Sequence, residues 1–359
     1  DEPIEAITVA VRAKLDIREV CAIENKRDDC LLWKFFVDKL LSTHQHNKLL
    51  RTAAYIQESE DDVETTHCEA LRMLEERVET DEETYHSSVL AEGLVERVRE
   101  QMVDGANIIT GIDQLDEHVR FRKNQLITIA ARPSCGKSAL GGQIAYHAAC
   151  VQHKKVAFFT LEMTCDELMF RGLSMLTGVG TDRIEKDVMT DDQRGKMEDS
   201  LARIKGSDLY MFDEGGITVD RIIARCKQLK SNHGLDLVVI DYLQLIKALN
   251  TKITRAEQIG EITTALKRAA KSLGCPVIQL AQINRDAAKA NRRPVMSDLK
   301  GSGDIEDDSD IILFIHHRDA NDENPQVPID LIIEKQRNGV RGRSIPLEFV
   351  KPRGFFRER

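Results

Sequence analysis

Gln125-Leu126-Ile127-Thr128-Ile129-Ala130-Ala131-Arg132-Pro133-Ser134-Cys135-Gly136-Lys137-Ser138 decides how this chain is read. An apolar, β-branched run ends in a short loop of small residues. From Ser138 to Cys150 the sequence continues as a helix. A strand that turns tightly into a helix over Gly-Lys-Ser is the setting of a phosphate-binding loop. Its backbone N–H groups wrap phosphate oxygens, and the helix N-terminus adds partial positive charge. Lys137 is then placed to reach the β- and γ-phosphates of ATP, and Ser138 to hold Mg²⁺. Arg132, Pro133, Ser134, Cys135 and Gly136 complete the expected cradle. Ala131 stands where the generic pattern carries its first glycine, so that pattern is not strictly met. The bland alternative is a plain strand-turn-helix with a chance Gly-Lys-Ser, and the downstream partners count against it.

Outward from this loop, strand-like and helical runs alternate. Strands are expected at Lys155–Leu161, Asp208–Phe212, Leu235–Leu245, Pro276–Ile283, Ile311–Ile315, Ile329–Glu334 and Ser344–Val350. Helices are expected from Thr164 and from Thr190, each opened by capping-box spacing, and over Thr218–His233 and Arg255–Leu273. Strands apolar on both faces, alternating with helices, predict a mainly parallel α/β sheet.

Three strand ends carry polar residues suited to phosphate chemistry. Leu237-Val238-Val239-Ile240-Asp241 places a carboxylate at the end of an apolar strand, where it can reach a Mg²⁺-bound water. Ser138 and Asp241 are thus the candidate metal-holding pair. Thr160-Leu161-Glu162-Met163 puts Glu162 at the end of the next strand after the loop helix, where it could deprotonate an attacking water. Its alternative is a surface glutamate before a helix. Gln282 ends a further apolar strand and could sense the γ-phosphate. A helix or turn cap fits Gln282 equally well on spacing alone.

Upstream of residue 108 the character differs. Residues 1–86 read as a small, acidic, all-helical region without a clear strand signal. In 87–107, Leu90, Leu94, Val98 and Met102 recur every fourth residue and form a narrow apolar stripe on a linker helix, followed by a loop. Residues 108–359 form the expected ATPase domain.

Composition narrows the classes. A net charge of -9 argues against a protein that coats nucleic acid with its whole surface, though a local basic track remains open. The eight cysteines contain no Cys-x-x-Cys pair, which disfavours a zinc knuckle and fits reduced thiols in a cytoplasm. No apolar run approaches the roughly 18 residues needed to cross a bilayer, so no membrane role is expected. The acidic start does not resemble a signal peptide.

Several motifs occur in a fixed order: Ala131-Arg132-Pro133-Ser134-Cys135-Gly136-Lys137-Ser138, Leu161-Glu162-Met163, Val239-Ile240-Asp241-Tyr242-Leu243-Gln244-Leu245, Gln282-Ile283-Asn284-Arg285, Ser297-Asp298-Leu299-Lys300, and Glu334-Lys335-Gln336-Arg337-Asn338-Gly339. Over about Ile108 to Glu348 the chain resembles the DnaB-type replicative helicases, phage and plasmid versions included. The resemblance implies a RecA-like P-loop core assembled as a homohexameric ring, with ATP sites between subunits. It assigns Lys137 and Ser138 to phosphate and Mg²⁺, Glu162 to catalytic base, Asp241 to the Walker B carboxylate and Gln282 to γ-phosphate sensor. Lys335 and Arg337 would act on the neighbouring subunit's ATP, with Arg337 as arginine finger. Without the resemblance they read as solvated charges on a hairpin. Lys300, Gly301 and Gly303 match the loop that grips single-stranded DNA, although Lys300-Gly301 departs from the family's Arg-Glu pair. Arg292 and Arg293 lie upstream, where they add positive potential to the DNA path or serve only as surface charge. The resemblance further implies forked DNA as substrate, 5′ to 3′ movement, a helicase loader and a primase as partners, and a linker helix packed on the adjacent subunit. The rival classes are a RecA-like recombinase and an accessory ATPase or loader.

Overall fold

The structure, a computed structural model, describes Tyr55 and residues 107–248, 252–283, 292–299, 302–317, 324–337, 339 and 341–359. The chain divides into two compact units, Asp1–Tyr85 and His86–Arg359, and the second holds every element named below. The expected helical region 1–86 lies outside the described residues save Tyr55, as does the linker 87–107 save Asn107.

Strands β1 (Leu126–Ala131), β2 (Val156–Thr160) and β4 (Leu237–Asp241) are buried along their whole length. Alternate side chains serve opposite faces. Ile127, Ile129, Val156, Phe158, Leu237 and Val239 enter one core, while Leu126, Ala130, Ala157, Phe159, Val238 and Ile240 enter the other. This two-sided demand is why the sequence reads as uninterrupted apolar runs rather than alternation. Helix α2 (Lys137–Cys150) covers the first face through Leu140, Ile144 and Ala148. Helices α6 (Val219–His233) and α7 (Arg255–Leu273) cover the second through Ile222, Cys226, Ile259 and Leu266.

With β3 (Leu209–Phe212), β5 (Val277–Gln282), β6 (Ile311–His317), β7 (Gln326–Gln336), β8 (Arg343–Val350) and β9 (Phe355–Glu358), these strands form one sheet in the order β3-β2-β4-β5-β1-β6-β7-β8-β9. Pairing is parallel from β3 to β6 and antiparallel from β6 to β9. The parallel part puts Ala131, Thr160, Asp241 and Gln282 at one carboxyl edge. Ligands bind at that edge in open α/β sheets.

Three capping boxes fix helix starts: Thr164–Glu167 on α3 (Cys165–Thr177), Thr190–Gln193 on α5 (Asp191–Lys205), and Thr254–Glu257 on α7. The first two match the spacing seen in the sequence. Between α3 and α5 lies a short helix, α4 (Thr181–Glu185).

The structure departs from expectation in places. The strand expected over Leu235–Leu245 ends at Asp241, and Leu243–Leu245 is a 3-10 turn. The apolar run continues because Leu243 and Ile246 enter the second core from that turn. Three short helices among the described residues, α1 (Asp113–Asp116), α4 and α8 (Ser302–Asp308), give no signal in the sequence, since none has room for a periodic pattern. Strand β9 gives none either. Its backbone is held from the side by a helix residue: buried Gln143 of α2 donates to Phe356 O at 2.9 Å and accepts from Phe356 N at 2.8 Å. No sequence period marks a strand whose ladder is continued by a side chain. Among the described residues, no helix is long and apolar enough to cross a membrane.

Gln143→Leu would leave two buried backbone groups of Phe356 unpaired, a loss of about 2–4 kcal/mol. Urea unfolding should detect it, and unchanged stability would show that β9 does not depend on this amide.

Candidate functional site

The cradle is built by two residues in left-handed backbone geometry, Ser134 (φ 60°) and Gly136 (φ 84°). Gly136 caps α2 without any side-chain hydrogen bond, so the first-turn amides are left for a ligand. A side chain at 136 has no room. A Cβ there would come within 2.7 Å of Phe356 Cζ and 3.0 Å of Phe349 Cζ. Phe349 and Phe356 are register partners on β8 and β9, stacked at 4.6 Å, and they floor the loop. Cys135 is buried beside them in the first core, and burial pushes its thiol up to about 11.

Above the loop lies a cavity of about 520 Å³. Arg132, Pro133, Ser134, Gly136, Lys137, Ser138, Glu162 and Gln282 all line it. The structure thus brings together residues from three separate strand ends that the sequence nominates. Asp241 does not line the cavity, but it reaches it through Lys137. Lys137 Nζ lies 3.3 Å from Asp241 Oδ1 and 3.5 Å from the centre of the Tyr242 ring. Burial lowers the Lys137 pKa, and the Asp241 and Glu162 carboxylates oppose that shift. Asp241 is 1% exposed, and its Oδ1 makes no aligned hydrogen bond despite the nearby ammonium. The contact is therefore an ion pair with lone-pair capacity left over. A buried, under-coordinated carboxylate oxygen beside a phosphate cradle suits a Mg²⁺-bound water. Among the described residues no cluster of three or more His, Cys, Asp or Glu could form a dedicated metal cage. Mg²⁺ is ordinarily held by one or two protein oxygens plus phosphates, so Ser138 and Asp241 fit it.

The rest of the wall lies beyond what the sequence nominates. Arg171 from α3, Thr181 from α4, and Phe349, Lys351 and Gly354 from the β8–β9 hairpin also line the cavity. Only Lys351-Pro352-Arg353-Gly354, a turn signature with cations, carries any hint.

The expected trans-acting cations stand apart. Lys335 and Arg337 do not line this cavity. Lys335 Nζ donates to Glu306 O and Arg337 Nη2 to Asp307 O, both at the carboxyl end of α8. Arg337 Nη1 also lies 3.4 Å from Asp310 Oδ1. Asp310 is buried and holds the Leu126 amide and Lys267 as well. Burial and the neighbouring Arg337 charge lower the Lys335 pKa.

Of the expected DNA-contacting residues, Lys300 and Gly301 lie outside the described residues, and Gly303 is exposed on α8. Arg292 forms a two-pronged ion pair with buried Asp298, both contacts at 2.7 Å. Its hydrogen bond holds the Asp298 carboxyl below the usual range. Much of the Arg292 charge is therefore offset locally, and its carbonyl accepts from Arg132 Nη2 at 2.7 Å. Arg293 donates to Gly342 O.

The chain is similar to known proteins in sequence and fold. Residues 107–358 match the family described as DnaB-like helicase C terminal domain. The chain is 36% identical over 319 residues to "Replicative DNA helicase DnaC" of Bacillus subtilis (strain 168), covering 85% of this chain and 70% of that protein. It is 37% identical over 250 residues to "Replicative DNA helicase DnaB" of Geobacillus stearothermophilus, covering 68% of this chain but only 55% of that protein. Among similar solved structures is one described as an "ATPase Domain", with TM-score 0.68 and 30% identity, covering 78% of this chain and 100% of that one. Another is "The Structure Of A DnaB-Like Replicative Helicase And Its Interactions With Primase", with TM-score 0.66 and 27% identity, covering 92% and 81%.

Gly136→Ala should weaken binding of a fluorescent ATP analogue by roughly tenfold or more, since left-handed strain of about 1–3 kcal/mol adds to the clash with Phe356. Wild-type affinity with an unchanged melting temperature would show that the cradle does not need a glycine at this position.

Proposed function

This chain belongs to the DnaB-like family of replicative DNA helicases, which are ATP-hydrolysing enzymes, and from that premise we propose that it forms a hexameric ring that moves along single-stranded DNA and unwinds duplex. The observation that carries the proposal is the convergence of the candidate residues on one cavity. Cradle, base candidate and sensor candidate line one cavity, while Lys335 and Arg337 sit outside it. Arg132, Arg171 and Lys351 of the same chain also line the cavity, and the family resemblance assigns the arginine finger to Arg337 of a neighbouring subunit.

In the proposed cycle Lys137 leaves its ion pair with Asp241 to hold the β- and γ-phosphates. Mg²⁺, held by Ser138 and Asp241, would neutralise phosphate charge. Glu162 orients a water and takes its proton, and Gln282 reports whether the γ-phosphate is present. Arg337 from the adjacent subunit stabilises charge on the transferred group, with Lys335 beside it. Hydrolysis then depends on the ring contact, which couples chemistry to subunit movement. The segment containing Lys300, Gly301 and Gly303 would contact DNA phosphates, so movement would not depend on base sequence. A primase and a loader are the expected partners, the first supported by the structural relative described with primase.

A forked substrate with a free single-stranded tail separates this proposal from its rivals. ATP-dependent unwinding supports it, strand exchange would favour a recombinase, and absence of turnover would favour an accessory protein. Lys137→Ala should abolish hydrolysis. Arg337→Ala should lower kcat by about a thousandfold or more while retaining nucleotide binding. Mixing Arg337→Ala with Glu162→Ala chains should restore part of the activity, because a seam in which the Arg337→Ala chain holds the nucleotide and the Glu162→Ala chain supplies the finger is intact. No rescue at any ratio would place the whole site within one chain.

A further inference from the structure

The Gln244 side chain lies against the backbone of Gln282. Gln282 N donates to Gln244 Oε1 at 3.1 Å, and Gln244 Nε2 donates to Gln282 O at 3.3 Å. The two groups form a closed amide–peptide pair. Gln244 is held from behind in turn: Arg255 Nη2 donates to Gln244 O at 2.7 Å, and Arg255 Nη1 to Gln258 Oε1 at 2.7 Å. Arg255 is the first residue of α7. Gln244 sits on the 3-10 turn Leu243–Leu245, shortly after Asp241 and after Tyr242, whose ring carries the Lys137 ammonium.

Strand β4 pairs with β5 only as far as Ile240 and Gln279. Beyond that point the two chains diverge, and the Gln244 amide spans the gap that the backbone ladder leaves. Ile283 connects this point to its surroundings. Its N–H donates to Ala131 O at 3.0 Å, which ties β5 to the base of the cradle. It also forms an antiparallel bridge with Leu299, immediately before Lys300.

We propose that Gln244 is a positioning residue that couples the metal-holding strand end to Gln282, so that a change at the γ-phosphate is passed through Ile283 to the segment beginning at Leu299. The proposal rests on Gln282 acting as the γ-phosphate sensor. The chemistry of the position requires glutamine. One acceptor and one donor must face a peptide N–H and C=O together, and a primary amide offers both side by side on one planar group at neutral pH. Asparagine is shorter by one methylene. Glutamate supplies the acceptor but sets a second oxygen against the Gln282 carbonyl. Leucine supplies neither and leaves a part-buried peptide group unpaired.

The test uses full-length chain, with steady-state ATP hydrolysis measured with and without single-stranded DNA. Gln244→Leu should keep KM for ATP within about twofold of wild type and reduce the DNA-stimulated part of kcat about five- to tenfold, the equilibrium worth of one to two such hydrogen bonds. Gln244→Glu should regain stimulation as pH is lowered, because a protonated carboxyl restores the donor, whereas wild type should not. Unchanged stimulation in Gln244→Leu, or a Gln244→Glu profile parallel to wild type, would overturn the proposal. If Gln244→Leu unfolds, the Gln244→Glu profile decides alone. Gln282→Ala separates the two layers. Full stimulation there removes the sensor assignment itself. Loss there with normal stimulation in the Gln244 variants removes only the coupling.

Discussion

A cation withdrawn from water holds the site in readiness. Lys137 is mostly buried, and its charge is met on one side by the Asp241 carboxylate and on the other by the face of Tyr242. Neither partner satisfies it as water would, which is why burial dominates its lowered pKa. Everything around it follows. β4 must end at Asp241, β1 must end at Ala131, and the loop between β1 and α2 must pass through left-handed geometry twice. A triphosphate entering the cavity offers the ammonium more negative charge than Asp241 does. It also frees a carboxylate oxygen that already has an unused lone pair.

The antiparallel extension β7–β9 is as much a part of this site as the parallel sheet. Its Phe349–Phe356 stack supports the cradle from below, and Lys351 and Gly354 add a wall to the cavity. Gln143 joins the last strand to the helix that begins at Lys137. Hairpin and phosphate loop therefore share one helix as a common strut, and damage to the C-terminal strand should be felt at the nucleotide.

Much of this is legible in the sequence because the physics there is local. Apolar runs buried on both faces announce β1, β2, β4 and β5, and Thr164–Glu167 and Thr190–Gln193 announce two helix starts. Lys137 and Ser138 stand out at the start of the loop helix, and Glu162 and Gln282 by their places at or just past strand ends, and all four line one cavity. Interactions between distant segments are not legible. Gln143 and Phe356 are separated by 213 residues, and Gln244 and Gln282 by 38. No period or spacing marks such pairs. The strand expected to run to Leu245 stops short for a related reason, since Leu243 and Ile246 reach the core from a turn and mimic a strand in composition.

A thiol inside the phosphate loop would ordinarily be a point of attack for oxidants and alkylating electrophiles, because the thiolate is the reactive species. In Cys135 the sulfur is packed into the core with its pKa pushed up to about 11, so almost none of it is ionised at neutral pH. Burial thus leaves a peroxide or a maleimide little access to the sulfur, although the cysteine belongs to the phosphate loop itself.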